Sequence, residues 1–97
     1  MDLETFRESL RGLQPPDGLS LALSGLWWDA KHDWEKAHEF AQQDESSSAA
    51  WVHAYLHRKE GDSSNAAYWY RRAGKAPFHG PLVAEWETIV QALLSSP

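Results

Sequence analysis

The chain has 97 residues and no cysteine; 42% of the residues are hydrophobic, 12% are aromatic, and the net charge is -5. These values suit one folded domain and exclude a disulfide framework and any thiolate metal site. The acidic balance argues against nucleic-acid binding. Because no signal peptide and no run of ~20 apolar residues is present, we expect a cytoplasmic protein with no membrane partner.

The opening segment predicts a short helix followed by a loop. Its apolar residues recur at helical spacing, at Leu3, Phe6, Leu10 and Leu13. The stretch "QPPDG" then breaks the helix, because paired prolines and a glycine cannot continue it. Residues 1–18 are therefore predicted to form a capping helix and its loop.

Residues 19–45 predict a first helical hairpin. Its first helix runs from about Leu19 to Lys31 and carries an apolar stripe. After the turn "KHD", Asp33 can cap the second helix, because its carboxylate can accept from a free N–H of the first turn. The polar run "QQDESSS" ends that helix near Gln43.

Residues 46–76 predict a second helical hairpin. A serine at position 46, 47 or 48 can cap its first helix, and Gly61 stops that helix. Asp62 can cap the second helix, which ends at Gly74.

Residues 77–97 predict a C-terminal capping helix. Pro81 suits the first helical position, and a stripe of apolar residues follows at Leu82, Trp86, Ile89, Val90 and Leu93. No segment shows the two-residue alternation of a strand. The chain is therefore predicted to be all-α, a single domain of about six helices.

The two predicted hairpins superimpose with a shift of 29 residues, which places Asp33 on Asp62 and Ala37 on Ala66. The pattern from Ala54 to Ala73, with small residues, a Gly-Asp turn, an aromatic residue and then Pro77, resembles the tetratricopeptide and Sel1-like helical repeats. The same stretch also resembles short bacterial proteins of unknown function.

The repeat resemblance implies antiparallel helical hairpins stacked as a short solenoid, with the first and last helices as caps. It also implies a module that binds a protein partner. Two repeats are fewer than the ~3 that such arrays usually need. The terminal helices must then complete the core, or the protein must form a homo-oligomer.

Positive charge is concentrated in the second hairpin. Residues 48–80 hold five basic and two acidic residues, so this segment carries +3 within a chain of net charge -5. Local potential, rather than net charge, steers an approaching ligand. We therefore expect an acidic protein or an acidic small molecule to bind the groove of this hairpin, through candidate residues His53, His57, Arg71, Tyr68, Arg72 and Lys75.

His53 and His57 lie four residues apart and so share one face of a helix. This spacing suits two imidazoles on one metal ion or two donors to one anion. Glu60 is near the same face, and His38 could approach from the preceding helix, so either residue could complete a metal site. The alternative is that these histidines are structural.

Catalytic signatures are otherwise missing. The sequence has no glycine-rich phosphate loop, no cysteine nucleophile and no Gly-x-Ser-x-Gly turn. We therefore expect no cofactor and favour a binding module over an enzyme. Two hypotheses remain: protein–protein interaction through the second hairpin, and an anion or metal site, with or without catalysis, that uses His53, His57 and Arg71.

Overall fold

The structure is a computed structural model that describes residues 1–95. Within this range the chain forms six α-helices and no strand, which confirms the all-α prediction. They are α1 (Leu3–Ser9), α2 (Leu21–Ala30), α3 (Trp34–Gln42), α4 (Ser47–Lys59), α5 (Ser63–Ala73) and α6 (Leu82–Leu94). None of these helices combines the length and apolarity needed to cross a membrane.

Side-chain caps fix where most of the helices begin. Five helices start at a residue whose side chain accepts a hydrogen bond from the N–H three positions on, and these caps are Asp2, Ser20, Asp33, Ser46 and Asp62. Helix α6 differs, because Pro81 is its N-cap rather than its first helical residue and makes no side-chain bond. At the other end of a helix, Gly74 adopts a left-handed φ of 70° and closes α5.

Helix α1 is shorter than its apolar spacing predicted. It ends at Ser9, and the N–H groups of Leu10, Arg11 and Gly12 bond to carbonyls three residues back. Such tight bonds typically end a helix, and the prolines that follow prevent another turn. The prediction that Leu13 belongs to the apolar stripe is wrong, since Leu13 is 84% exposed.

Helix α4 occupies the centre of the molecule. It packs against α2, α3, α5 and α6, whereas α1 packs on α6. Eight of its residues are buried, among them His53 and His57. The main core also contains large side chains with no exposure, at Phe6, Leu26, Trp27, Val52, Leu56, Ile89 and Val90. The two histidines that the sequence singled out therefore lie on the most enclosed helix of the fold.

The internal repeat reappears in the backbone of the two hairpin turns. Asp33 N–H donates to the Trp28 carbonyl at 3.0 Å, and Asp62 N–H donates to the His57 carbonyl at 2.9 Å, one shift of 29 residues later. The preceding residues, His32 and Gly61, both have positive φ, 66° and 89°. The two copies thus share one turn conformation.

Candidate metal centre

Three histidine side chains converge between α3 and α4. His38 comes from α3, and His53 and His57 come from successive turns of α4. One ring nitrogen from each lies within 4.8 Å of the other two. The Nε2 atoms of His38 and His53 are 3.0 Å apart. The expected pairing of His53 with His57 is present, and His38 completes a group of three.

Tryptophans hold two of the imidazoles in place. The Trp34 ring stacks on His38 with centroids 5.0 Å apart, and its Nε1 donates to the Leu56 carbonyl of α4 at 3.0 Å. The Trp69 ring of α5 stacks on His53 at 3.9 Å. Because aromatic stacking restricts ring rotation, these contacts fix the directions in which the imidazole nitrogens point.

Glu60 orients the third imidazole. Its Oε2 lies 2.6 Å from His57 Nδ1, so Nδ1 carries the proton and donates to the carboxylate. This bond leaves Nε2 of His57 as the nitrogen with a free lone pair. A carboxylate behind a ligating histidine is the common arrangement around protein metals. Glu60, which the sequence suggested as a metal ligand, contacts His57 in this way and also forms a second group with His57 and Asp62, whose ligand atoms lie within 4.8 Å of one another.

The surroundings of His38 and His53 favour the neutral form of these two imidazoles. Burial is the main reason why the pKa of His53 falls to about 4, and repulsion from His38, His57 and Arg72 contributes to the same shift. Burial and His57 also lower the pKa of His38. A metal binds the neutral imidazole, so the lowered pKa values favour both rings as ligands. Because the 3.0 Å contact between their Nε2 atoms needs a proton on one of the two, that proton has to leave the contact when a metal binds.

The cluster opens into a cavity of about 490 Å³ between α3, α4 and α5. One wall is a stripe of α5 residues, Asn65, Trp69 and Arg72, which share a helix face because they are three and four positions apart. The lining also includes Gln42, Asp44 and Glu45, from the end of α3 and the loop that follows it. The histidines thus form the inner end of a polar pocket large enough for a small molecule.

The other predicted site residues are divided between this cavity and the outer surface. Arg72 lines the cavity, in the place where we expected Arg71, which is exposed on another face of α5. Tyr68 is 44% exposed and lies edge-on to Trp69. The ammonium of Lys75 lies 4.3 Å from the centroid of Trp51, outside the cavity. The spacing of Arg72 from Trp69 was the sequence signal that could have selected it over Arg71.

Two buried carboxylates were missed by the sequence reasoning and neutralise part of the predicted basic patch. Asp29 is 2% exposed and accepts from Lys59 Nζ at 2.9 Å and from Tyr55 Oη at 2.8 Å. Glu85 is fully buried and accepts from Arg58 Nη1 at 2.9 Å. Two of the five basic residues in the second hairpin, Arg58 and Lys59, are therefore neutralised by buried carboxylates. The other three, Arg71, Arg72 and Lys75, form no ion pair among residues 1–95.

Comparison with protein-family models, curated proteins and solved structures gives no match for this chain. The function therefore has to be argued from the side chains of the site itself.

Proposed function

We propose that this protein binds a divalent transition-metal ion, with zinc as the reference ion, through His38, His53 and His57. The observation that carries the proposal is the convergence of three ring nitrogens within 4.8 Å of one another. Imidazole nitrogen suits zinc, copper and nickel, whereas magnesium and calcium prefer oxygen ligands.

The spacing of the nitrogens is close to that of a zinc site. Tetrahedral zinc with Zn–N bonds of ≈ 2.0–2.1 Å separates its ligand nitrogens by about 3.3 Å. The separation of His38 and His53 Nε2, 3.0 Å, is near this value, and the His57 nitrogen lies within 4.8 Å of both, so side-chain rotations would be needed to bring the three rings around one ion. Three protein ligands leave one coordination position open, and the cavity supplies the space next to it.

Isothermal titration of the purified chain with Zn²⁺ tests the proposal. We expect one ion per chain, affinity weakened by at least tenfold in His38→Gln, and a ~10–100-fold loss in Glu60→Gln, which removes only the carboxylate behind His57. His79→Gln is the matched control, because His79 is exposed and lies outside the cluster. Circular dichroism of each variant checks that it folds. Equal zinc affinity in wild type and His38→Gln would show that the cluster is only a hydrogen-bonded aromatic group.

A second candidate function is protein binding by stacked hairpins, as the repeat resemblance implies. It is supported by the shared turn conformation of the two hairpins and by Tyr68 and Lys75, which are exposed and make no ion pair within residues 1–95. Fluorescence anisotropy with an acidic peptide tests it: binding that does not weaken in Lys75→Glu would contradict this function, whatever the zinc affinity.

A further inference from the structure

We infer that the cavity holds a small oxyanion, a carboxylate or a phosphate, between the open position of the bound metal and the guanidinium of Arg72. This inference rests on the proposed metal site and names the class of ligand that it takes.

Arg72 is linked to the histidine cluster through one tryptophan. Its Cζ lies 5.2 Å from the centroid of Trp69, and the same ring stacks on His53 at 3.9 Å. Arg72 and all three histidines line the same cavity. The exposed side chain of Arg72 thus has its guanidinium near the same aromatic ring that holds His53.

The guanidinium of Arg72 retains unused hydrogen-bond donors. Among residues 1–95 it forms no ion pair, and its hydrogen bond is a long one, 3.4 Å from Nη1 to Tyr68 Oη. Arginine has five N–H donors in a planar fork that matches the two oxygens of a carboxylate or phosphate. The Arg72 guanidinium lines the same cavity as the proposed metal site, so it is suited to an anion that bridges the guanidinium and the metal ion.

The cavity also limits which anions can enter. Its volume of about 490 Å³ suits a small molecule rather than a macromolecule. Asp44 and Glu45 also line the cavity, and Asp44 already accepts from the backbone and hydroxyl of Ser46 at 2.9 and 2.8 Å. These two carboxylates disfavour a large polyanion, so we expect one oxyanion group per cavity.

The ligand would bind without any covalent step. One oxygen of the anion would take the open position of the metal in place of water, and its other oxygen would accept from the Arg72 fork. Both interactions are needed for tight binding, because each alone competes with water at an open pocket. The inference therefore predicts that anion binding requires both the metal and Arg72.

Titration of the Co²⁺-loaded protein with acetate and with inorganic phosphate tests this, since the visible bands of Co²⁺ change when its fourth ligand changes. We expect a spectral change that saturates in wild type, that needs at least tenfold more anion in Arg72→Met, and that is intermediate in Arg72→Lys. Arg71→Met is the matched control, because it removes the same group one residue away, outside the cavity. The anion that half-saturates the spectral change at the lower concentration, acetate or phosphate, shows whether the site prefers a carboxylate or a phosphate.

The outcomes separate this inference from the metal proposal. If Co²⁺ and Zn²⁺ do not bind wild type, both fail. If the metal binds but acetate and phosphate leave the spectrum unchanged, or act equally on wild type and Arg72→Met, only the anion inference is overturned. Calorimetry that finds the metal-free protein binding either anion as tightly as the loaded one would also overturn it.

Discussion

His53 is the side chain whose environment most strongly opposes a proton. It is 4% exposed, its ring lies against Trp69, and its Nε2 faces His38. After burial, the groups that oppose its protonation are His38, His57 and Arg72. Protonation would bury a charge beside like charges, and this is why the pKa of His53 falls to about 4.

This depressed pKa makes the metal-free protein sensitive to mild acid. In the unfolded chain the pKa of His53 returns to its ordinary value of 6.5. Between pH 6.5 and about 4 the unfolded state therefore binds more protons than the folded state. The stability that neutral His53 contributes to the folded state is therefore complete above pH 6.5 and is lost as the pH falls to about 4. His38 adds to the effect, because its pKa is also lowered.

Urea unfolding with a chelator present, at about pH 7.5 and about pH 5, measures this loss. We expect the unfolding free energy to fall more between these two pH values in wild type than in His53→Gln, because glutamine cannot take up the proton. The comparison uses the slope with pH, so any constant cost of the substitution cancels. Identical pH dependence in the two proteins would mean that His53 titrates normally in the fold.

At the scale of the helical elements, the two hairpin turns have the same backbone but differ in one residue. The turn between α4 and α5 has Gly61 at the position with φ of 89°, whereas the turn between α2 and α3 has His32 there with φ of 66°. Left-handed backbone costs residues with a Cβ roughly 1–2 kcal/mol, and glycine is free of this cost. The first turn is therefore strained where the second is relaxed.

Substitutions at these two positions should affect stability differently. We expect Gly61→Ala to lower the unfolding free energy by about 1 kcal/mol, because nothing lies within 4 Å of the added Cβ and only the backbone strain counts. His32→Gly should leave it unchanged or raise it by up to about 1 kcal/mol, since relief of strain is partly offset by the greater freedom of glycine in the unfolded chain. Thermal unfolding of both variants checks the signs. A destabilised His32→Gly would show that the His32 side chain contributes contacts that outweigh the strain.

The helices could be predicted from the sequence because their starts and stops are local. Asp33, Asp62 and Gly74 act within three or four residues of the chain, so their roles can be recognised without knowing the fold. The depth of a charged residue is different, because it depends on what packs over it. A glutamate in a helix such as α6 is ordinarily a surface residue. Glu85 is buried only because Arg58 of α4 and Tyr70 of α5 pack against it. The same limit explains why the sequence did not separate Arg72 from Arg71.

At the scale of the whole molecule, Glu85 joins three helices. From α6 its carboxylate accepts from Arg58 of α4 and from the Tyr70 hydroxyl of α5. Burial and this bond to Glu85 raise the pKa of Tyr70 well above its ordinary value. Arg58 also donates to the Gly80 carbonyl, which fixes the loop that leads into α6. Helix α4 packs directly on α6, whereas α5 does not within residues 1–95, so this buried network links α5 to the last helix.

Two glutamates of α6 provide a matched test of that network. Glu85 is fully buried, whereas Glu87, two residues on, forms a surface pair with Arg7 of α1. We expect Glu85→Ala to lower the unfolding free energy by on the order of 3–5 kcal/mol, because it leaves a half-buried arginine and a buried hydroxyl without their partner. Glu87→Ala should cost about 1 kcal/mol or less, as exposed ion pairs do. Urea unfolding of both variants measures the difference, and equal losses would show that α6 is held by its apolar face alone, through Trp86, Ile89 and Val90.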